Sequence, residues 1–136
     1  SVLKRLRAHV AEERRAIESA DAATRSVLLA DFHVCLAECL GNRFLTSMVV
    51  DLSARTVLAA ALYQSASEAQ DSNDDHAQIV AALAAGDGER AQQLMQAHID
   101  ALEARLDARL SARGSGRDRL RDALAPAQPS AESNPA

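Results

Sequence analysis

Hydrophobic residues recur every three or four positions over most of the chain, which is the spacing of one face of an α-helix. This spacing predicts five helices, at about residues 2–20, 22–40, 43–64, 73–85 and 88–112. The polar stretch 65–73 is predicted to be a loop. Leu and Ala dominate the composition and all three Pro lie after residue 125, so nothing earlier has to break a helix.

Capping and stop residues separate the predicted helices. Asp21 and Asn42 can cap the second and third helices, because a short side-chain oxygen accepts from free backbone N–H groups. Gly41 can end the second helix, since Gly enters the left-handed conformation at low cost. The link at 86–87 is so short that the last two helices should be antiparallel neighbours. The predicted fold class is all-α, an antiparallel helical bundle of about five main helices.

Core stripes can be assigned for the first three helices. The residues predicted to be buried are Leu3, Leu6, Val10 and Ile17, then Leu29, Phe32, Leu36 and Leu40, then Phe44, Leu45, Met48, Leu52, Leu58 and Leu62. The charged run 12–15 lies mostly outside the apolar stripe of the first helix. From residue 114 onward Gly, Ser, Pro and Ala replace large apolar residues. We therefore predict a helical domain at 1–113 and a flexible, disordered tail at 114–136, in which a short helix at 117–124 can form.

The composition suits one domain without a membrane span. The chain has 136 residues, 48% of them hydrophobic, and a formal net charge of −4, which argues against gripping nucleic acid without another domain. No uninterrupted apolar run approaches the roughly 18 residues of a span. Cys35 and Cys39 are interpreted as small hydrophobic residues of a cytoplasmic protein, with a redox switch as the alternative.

Three of the four histidines fall on apolar helix faces. His33 lies between Leu29 and Leu36, and His76 and His98 have the same helical spacing to their apolar neighbours. A buried imidazole needs partners for both ring nitrogens, so a lone one is usually a hydrogen-bonded core residue. Three on separate helices can instead converge into a metal site. His9 flanks the stripe of the first helix and is assigned to the surface or the boundary of the core.

Arg55 is unusual because it lies on, or at the edge of, the predicted core stripe of the third helix. Five guanidinium donors cannot be left without partners, so a counter-charge is required. The partner can be an internal Asp or Glu, or solvent reached by the side chain. The alternative is the carboxylate of a bound effector, held in bidentate fashion.

Sequence motifs of common enzyme classes do not occur in the chain. No Gly-rich phosphate loop follows a strand, and neither a nucleophile elbow nor an HExxH motif is present. The chain is therefore predicted not to be an enzyme.

A set of short motifs resembles the C-terminal domain of FadR-type regulators of the GntR family, the FCD domain. The matching residues are Asp31-Phe32-His33, Leu36-Ala37-Glu38, Gly41-Asn42, Asp75-His76, Ile79, the run at 82–87, Ala91, Met95 and His98-Ile99. The resemblance covers about residues 3–110. It implies a helical bundle that binds a small metabolite, often a carboxylate, and that forms a homodimer.

The resemblance also implies a divalent metal ion held by one Asp and three His, which map to His33, His76 and His98. The Asp position is occupied by Leu29. Asp31 lies about 200° around the helix from His33, so it cannot simply take the place of the missing aspartate ligand. Water or an effector carboxylate would complete the site, with Zn²⁺ expected first and Ni²⁺ or Mn²⁺ as alternatives. A metal-free polar pocket lined by the histidines is the other interpretation.

The predicted function is the ligand-sensing and dimerisation domain of a cytoplasmic transcription regulator. His33, His76, His98 and Arg55 are its expected effector-binding residues, and DNA would be contacted only through a winged helix-turn-helix domain absent from this chain. A helical interaction module with structural histidines is the main alternative. A metal-dependent enzyme with an activated water is the least favoured.

Overall fold

The computed structural model describes the backbone of residues 1–123 and the side chains of residues 1–112. Within them the chain forms five α-helices and no strand: α1 Val2–Ser19, α2 Ala22–Cys39, α3 Arg43–Tyr63, α4 Ala66–Ala84 and α5 Gly88–Ala123. The prediction of an all-α fold is confirmed. The chain divides into two compact units, Ser1–Glu103 and a second unit that begins at Ala104 and is helical as far as it is described.

The predicted caps occur where the sequence places them. The side chains of Asp21 and Asn42 accept hydrogen bonds from backbone N–H groups three residues later, at the starts of α2 and α3. Gly41 and Gly86 follow the ends of α2 and α4 with positive φ angles of 69° and 74°, a conformation in which a side chain would be strained.

The stretch 65–73 is the first turns of α4, so its prediction as a loop was wrong. Ser65 caps the helix through its hydroxyl, which accepts from the backbone N–H of Glu68, and the Glu68 carboxylate accepts from the backbone N–H of Ser65. This capping box satisfies two otherwise free donors and starts the helix despite its polar composition. The earlier start brings Ala69, Ser72 and Asn73 into the protein interior.

The core lies among α1, α2, α4 and the first part of α5. Its buried cluster contains Leu6, Phe32, Cys35, Ile79 and Val80, with partly buried side chains packed around it that include Leu94 and Met95 of α5. Both cysteines are free thiols, and burial raises the pKa of Cys35. The predicted stripes of α1 and α2 therefore contribute to the core, except that Leu40 is 66% exposed.

The stripe predicted for α3 is largely outside the core, and in the described chain no residue of α3 is buried. Phe44, Met48, Leu52, Leu58 and Leu62 are exposed by 49–76%, and only Leu45 of the predicted set is partly covered. Periodicity identifies an apolar face but not the surface that covers it, which is why the prediction failed. Among the described helices α3 is also long and apolar enough, by length and composition, to cross a membrane.

Helix α5 continues beyond its predicted end near residue 112 and reaches Ala123. Gly114 and Gly116 lie within it, since a glycine weakens a helix by only about 1 kcal/mol. The first residue that must stop a helix is Pro126. Residues 124–136 of the predicted tail lie outside the described residues.

Candidate metal centre

The three histidines from α2, α4 and α5 come together in the interior of the first unit. One nitrogen from each of His33, His76 and His98 lies within 4.8 Å of the other two. His76 is 1% and His98 3% exposed, whereas His33 is only partly buried. Among the three rings, His33 on α2 is therefore the one with solvent exposure beyond a few per cent.

The turn between α4 and α5 sets two of the histidines at the same level. His76 is eight residues before the end of α4, and His98 is ten residues after the start of α5. At 1.5 Å per residue these positions are about 12 and 15 Å from the turn, so the two rings meet across antiparallel helices. Their Nε2 atoms are 3.2 Å apart.

A carboxylate on α1 holds His76 from its other side. Glu13 is completely buried, and its two oxygens lie 3.1 and 3.0 Å from His76 Nδ1. Asn73 Nδ2 donates to the same carboxylate at 2.9 Å, and His9 Nε2 lies 3.3 Å from it. The sequence interpretation missed this residue because it grouped 12–15 as a polar face. The signal was present, since Glu13 is seven residues after Leu6 and three after Val10, on the buried stripe.

Glu13 is ionised despite its burial. Burial raises its pKa, but hydrogen bonds from His76, His9 and Asn73 outweigh this effect and bring the pKa below the ordinary value. His9 responds in the opposite sense: its hydrogen bond to Glu13 raises the pKa of the imidazole against the effect of partial burial. The result is a buried negative charge directly behind His76.

His98 has a similar carboxylate partner. Its Nδ1 donates to Asp75 Oδ2 at 3.0 Å, and the side chain of Asp75 is 37% exposed. Asp75 precedes His76 in α4, so neighbouring residues of one helix serve two different parts of the cluster. A carboxylate on the outer nitrogen fixes the orientation and tautomer of a metal-binding imidazole.

These hydrogen bonds determine which nitrogens carry protons. An ionised carboxylate can only accept, so His76 and His98 must each donate from Nδ1. In a neutral imidazole the other nitrogen then carries a lone pair. While both imidazoles are neutral, the two Nε2 atoms at 3.2 Å present lone pairs to each other, and either a metal ion or a proton shared between the rings removes this repulsion.

His33 supplies a third ring nitrogen to the cluster. Burial, followed by the proximity of His76 and His98, lowers the pKa of His33 to about 3. Its ring lies edge-on to His76, with centroids 5.2 Å apart, and roughly parallel to His98 at 5.4 Å. Within the described residues it has ring contacts but no hydrogen bond. Phe32 stacks on His76 at 3.9 Å and closes that side with an apolar ring.

The cluster fits a divalent transition metal. Two nitrogens about 2.05 Å from a tetrahedral ion are about 3.3 Å apart, close to the observed 3.2 Å between His76 and His98. Glu13 and Asp75 offer two negative charges outside the nitrogens, which suits a divalent ion. Leu29 is buried and contributes no ligand atom, and Asp31 is exposed. His33, His76 and His98 are therefore the residues that could hold such an ion.

Arg55 lies on the exposed face of α3. Its side chain is 76% exposed and forms an ion pair at 3.1 Å with Asp51, one turn earlier. The counter-charge predicted for this guanidinium is thus supplied by its own helix. A role for Arg55 in binding an effector carboxylate stays a prediction.

A second polar surface lies between α1 and α2. This groove has a volume of about 440 Å³ and includes His9 but none of the three clustered histidines. Its charged side chains are Arg5, Glu12, Asp31 and Glu38, and Arg5 is paired with Glu38. Three acids against one paired base make the groove a poor place for an organic anion.

Comparison with known proteins gives one match. A family model described as the FCD domain matches residues 1–101. No curated protein and no solved structure matches significantly. The matched span contains α1 to α4 and the part of α5 that carries His98, and so it includes every residue of the histidine cluster and both of its carboxylates.

Proposed function

The chain belongs to the FCD domain family, the C-terminal effector-binding domains of GntR-family transcription regulators, and from this premise we propose that it senses a small organic acid through a divalent metal ion. His33, His76 and His98 would hold the ion. The acid would bind beside it, and the histidines would contact both.

The observation that supports this proposal most directly is the pair of Nε2 atoms facing each other at 3.2 Å. Their outer nitrogens are committed to Glu13 and Asp75, so neither ring can donate toward the other while both are neutral. A metal ion removes this repulsion and uses both lone pairs. The third lone pair, on His33, lies within 4.8 Å of both.

The donor set favours Zn²⁺. Three imidazole nitrogens with one open position are a common arrangement for this ion, and Ni²⁺ also prefers nitrogen donors. Mn²⁺ prefers oxygen, and the position where related domains have an Asp ligand holds Leu29 here. Among the three candidate metals Mn²⁺ should therefore bind most weakly until a carboxylate ligand joins the site.

The open position indicates the class of effector. A small carboxylate can complete the coordination and add the negative charge that Leu29 does not supply. Access would be from the side of His33, the partly exposed member of the cluster. The metal would supply Lewis-acid binding of the carboxylate, while the surrounding residues orient the rings.

Effector binding would act on two protomers of a cytoplasmic homodimer. A ligand that favours one relative placement of the protomers shifts their population toward it. In a regulator with a separate DNA-binding domain, this shift alters the spacing of the two DNA-reading elements. The chain itself would have neither enzymatic nor membrane function.

Metal content and thermal stability test the proposal. The purified chain should contain close to one equivalent of Zn²⁺ or Ni²⁺ by elemental analysis, and a chelator should lower its Tm. Addition of an organic acid from a panel should raise the Tm of the metal-loaded protein only. His98→Gln should lose both responses, whereas the exposed Asp31→Asn should keep them.

The competing function is a helical interaction module whose histidines are structural. In that case a shared proton, not a metal ion, would bridge His76 and His98. The chain would then contain no metal, and its Tm would respond neither to chelator nor to acids. That result would refute the sensor proposal.

A further inference from the structure

The two cysteines of the chain lie one helical turn apart at the end of α2. Cys39 is the last residue of the helix, and Cys35 is four positions earlier. Both are free thiols, and their side chains are within hydrogen-bonding reach of each other. The proposed function uses neither thiol, so this pair is a second group of potential metal ligands in the chain.

The thiol pair adjoins a solvent-filled groove. Cys35 belongs to the buried core cluster, but it also lines the groove between α1 and α2, whose volume is about 440 Å³. Cys39 is partly buried and packs against the same core cluster. A small ion that enters the groove therefore meets the pair on the side of Cys35.

The charges of the groove favour a cation. Glu12, Asp31 and Glu38 line it together with Arg5, whose guanidinium is paired with Glu38. His9 is the remaining titratable side chain of the lining, and its Nε2 is hydrogen-bonded to a backbone carbonyl. Three acids against one base raise the local concentration of cations beside the thiols.

The spacing of the two cysteines favours a bridging ion over a disulfide. Positions one turn apart on a helix have Cβ atoms about 5–6 Å apart, whereas a disulfide needs about 3.5–4.5 Å. Two sulfur–metal bonds of about 2.3 Å each span more than one sulfur–sulfur bond of about 2.05 Å. An ion between the sulfurs can thus be held without unwinding the last turn of α2.

We propose that Cys35 and Cys39 form a binding site for a soft, thiophilic metal ion, with Cu⁺ as its preferred occupant. Thiolate sulfur selects soft ions, and Cu⁺ can be held by two sulfur ligands alone, whereas a structural Zn²⁺ site uses four ligands. Each thiol releases a proton to solvent as its sulfur bonds to the ion, and no electron is transferred.

The charge of the product agrees with a monovalent occupant. Two thiolates and one Cu⁺ have a single net negative charge. The positive charge of Arg5 acts on Cys35 more strongly than the negative charge of Glu38, so the local field favours an anionic product. A divalent ion with two thiolates would be neutral and would gain nothing from Arg5.

This site goes beyond the proposed function and does not depend on it. It offers two sulfurs from one helix, whereas the histidine cluster offers nitrogens from α2, α4 and α5. The kind of ligand atom therefore shows which site an ion occupies, and either proposal can fail while the other stands.

Anaerobic titration of the reduced full chain with Cu⁺, in competition with a chromophoric Cu⁺ chelator, measures the affinity. X-ray absorption at the copper edge identifies the ligand atoms. The wild type should bind one Cu⁺ through two sulfurs, and His98→Gln should retain this sulfur-bound ion. Cys39→Ser should raise the Kd for Cu⁺ at least about tenfold, because loss of a ligand costs more than loss of a group that only orients one.

Two further variants control for folding and for the shape of the groove. Because Cys35 is buried, the decision rests on replacements of the partly buried Cys39, and Cys39→Ala should weaken Cu⁺ as Cys39→Ser does. Val34→Ala changes the lining of the same groove without removing a sulfur, so it should leave the Kd for Cu⁺ unchanged.

Three results would overturn the site. The reduced wild type could fail to retain Cu⁺ against the chelator. The ion could be bound through nitrogen or oxygen alone, or with an affinity that both replacements of Cys39 leave unchanged. Peroxide could join the two cysteines in an intramolecular disulfide in a chain that binds no Cu⁺, which would assign the pair to redox chemistry.

Discussion

His76 and His98 face each other through Nε2 atoms 3.2 Å apart, while each ring is bonded to a carboxylate on its opposite side. This relationship determines the chemistry of the site. The outer carboxylates accept from Nδ1, and the inner nitrogens of the neutral rings can be bridged either by a metal ion or by a shared proton. The two carboxylates differ in burial, so their replacement should have different consequences.

Glu13→Gln should weaken both the metal site and the fold. The amide cannot accept from His9, His76 and Asn73 as the carboxylate does, and a buried donor is left without a partner. We expect a loss of roughly 1–3 kcal/mol in the free energy of unfolding and a 10–100-fold weaker affinity for Zn²⁺. Denaturant unfolding and competition with a chromophoric chelator measure the two effects. Its exposed neighbour provides the control, Glu12→Gln.

Asp75→Asn separates the two effects of Glu13→Gln. Asp75 is 37% exposed, so water can replace its interaction with the fold, but the orientation of His98 still depends on it. Zinc affinity should therefore fall while the unfolding free energy of the metal-free protein changes little. A large loss of stability with unchanged zinc affinity would mean that Asp75 serves the fold and not the site.

The histidine cluster could be predicted because each member shows a local signal. His33 lies one turn from Leu29 on the same helix face, and similar spacings mark the other two. Glu13 could have been found by the same test, but a charged residue beside three others was assigned to the surface. Its burial depends on partners more than fifty residues away, which spacing within α1 does not reveal.

The exposed face of α3 was beyond prediction for a different reason. This face has the periodicity of a core stripe, and a sequence pattern cannot distinguish a face covered by its own chain from one covered by another. Arg55 was the residue that departed from the pattern. Its placement with Asp51 in the centre of an exposed apolar stripe is informative only once the exposure is known.

The start of α4 is determined by a capping box that the polar composition of 65–73 concealed. Ser65→Ala removes the hydroxyl that accepts from Glu68, and we expect a loss of about 1 kcal/mol in unfolding free energy. Ser67→Ala, on an exposed position two residues later, should have almost no effect. Equal losses in the two variants would contradict a specific capping role.

Acidification should destabilise the metal-free protein between about pH 6.5 and pH 3. The pKa of His33 falls from 6.5 to about 3 on folding, so in this interval the unfolded chain binds a proton that the folded chain does not. Stability therefore rises with pH, by up to about 1.4 kcal/mol per unit, and is fully present above 6.5. The lowered pKa of Glu13 acts in the same direction below about pH 4.5.

Measurement of unfolding free energy against pH in the presence of chelator tests this dependence. His33→Gln should remove most of the slope between pH 6.5 and 4.5. His9 acts in the opposite direction, because its pKa is raised: its contribution is fully present below 6.5 and is lost as the pH rises through the folded value. His9→Gln should therefore remove a gain of stability that the wild type shows on acidification toward pH 6.5, and it should leave the slope below pH 6.5 unchanged. A slope unchanged by His33→Gln would show that His33 is not protected from protons.

Leu29→Asp tests the open coordination position. Leu29 is 6% exposed and lies one helical turn before His33, where an aspartate would add an oxygen ligand to the three nitrogens. Without metal the buried carboxylate should lower the unfolding free energy by several kcal/mol, because it loses its hydration and gains no partner. Bound metal should compensate the charge of this carboxylate, so the unfolding free energy of Leu29→Asp should depend more strongly on metal than that of the wild type. The added oxygen should also improve binding of Mn²⁺ relative to Zn²⁺.

Leu29→Asn is the control, because its side chain has nearly the same shape as that of aspartate but no charge. It should show the same loss of unfolding free energy as Leu29→Asp, and metal should not restore it. If metal fails to restore Leu29→Asp any better than Leu29→Asn, this position does not face the ion that the histidines are proposed to hold.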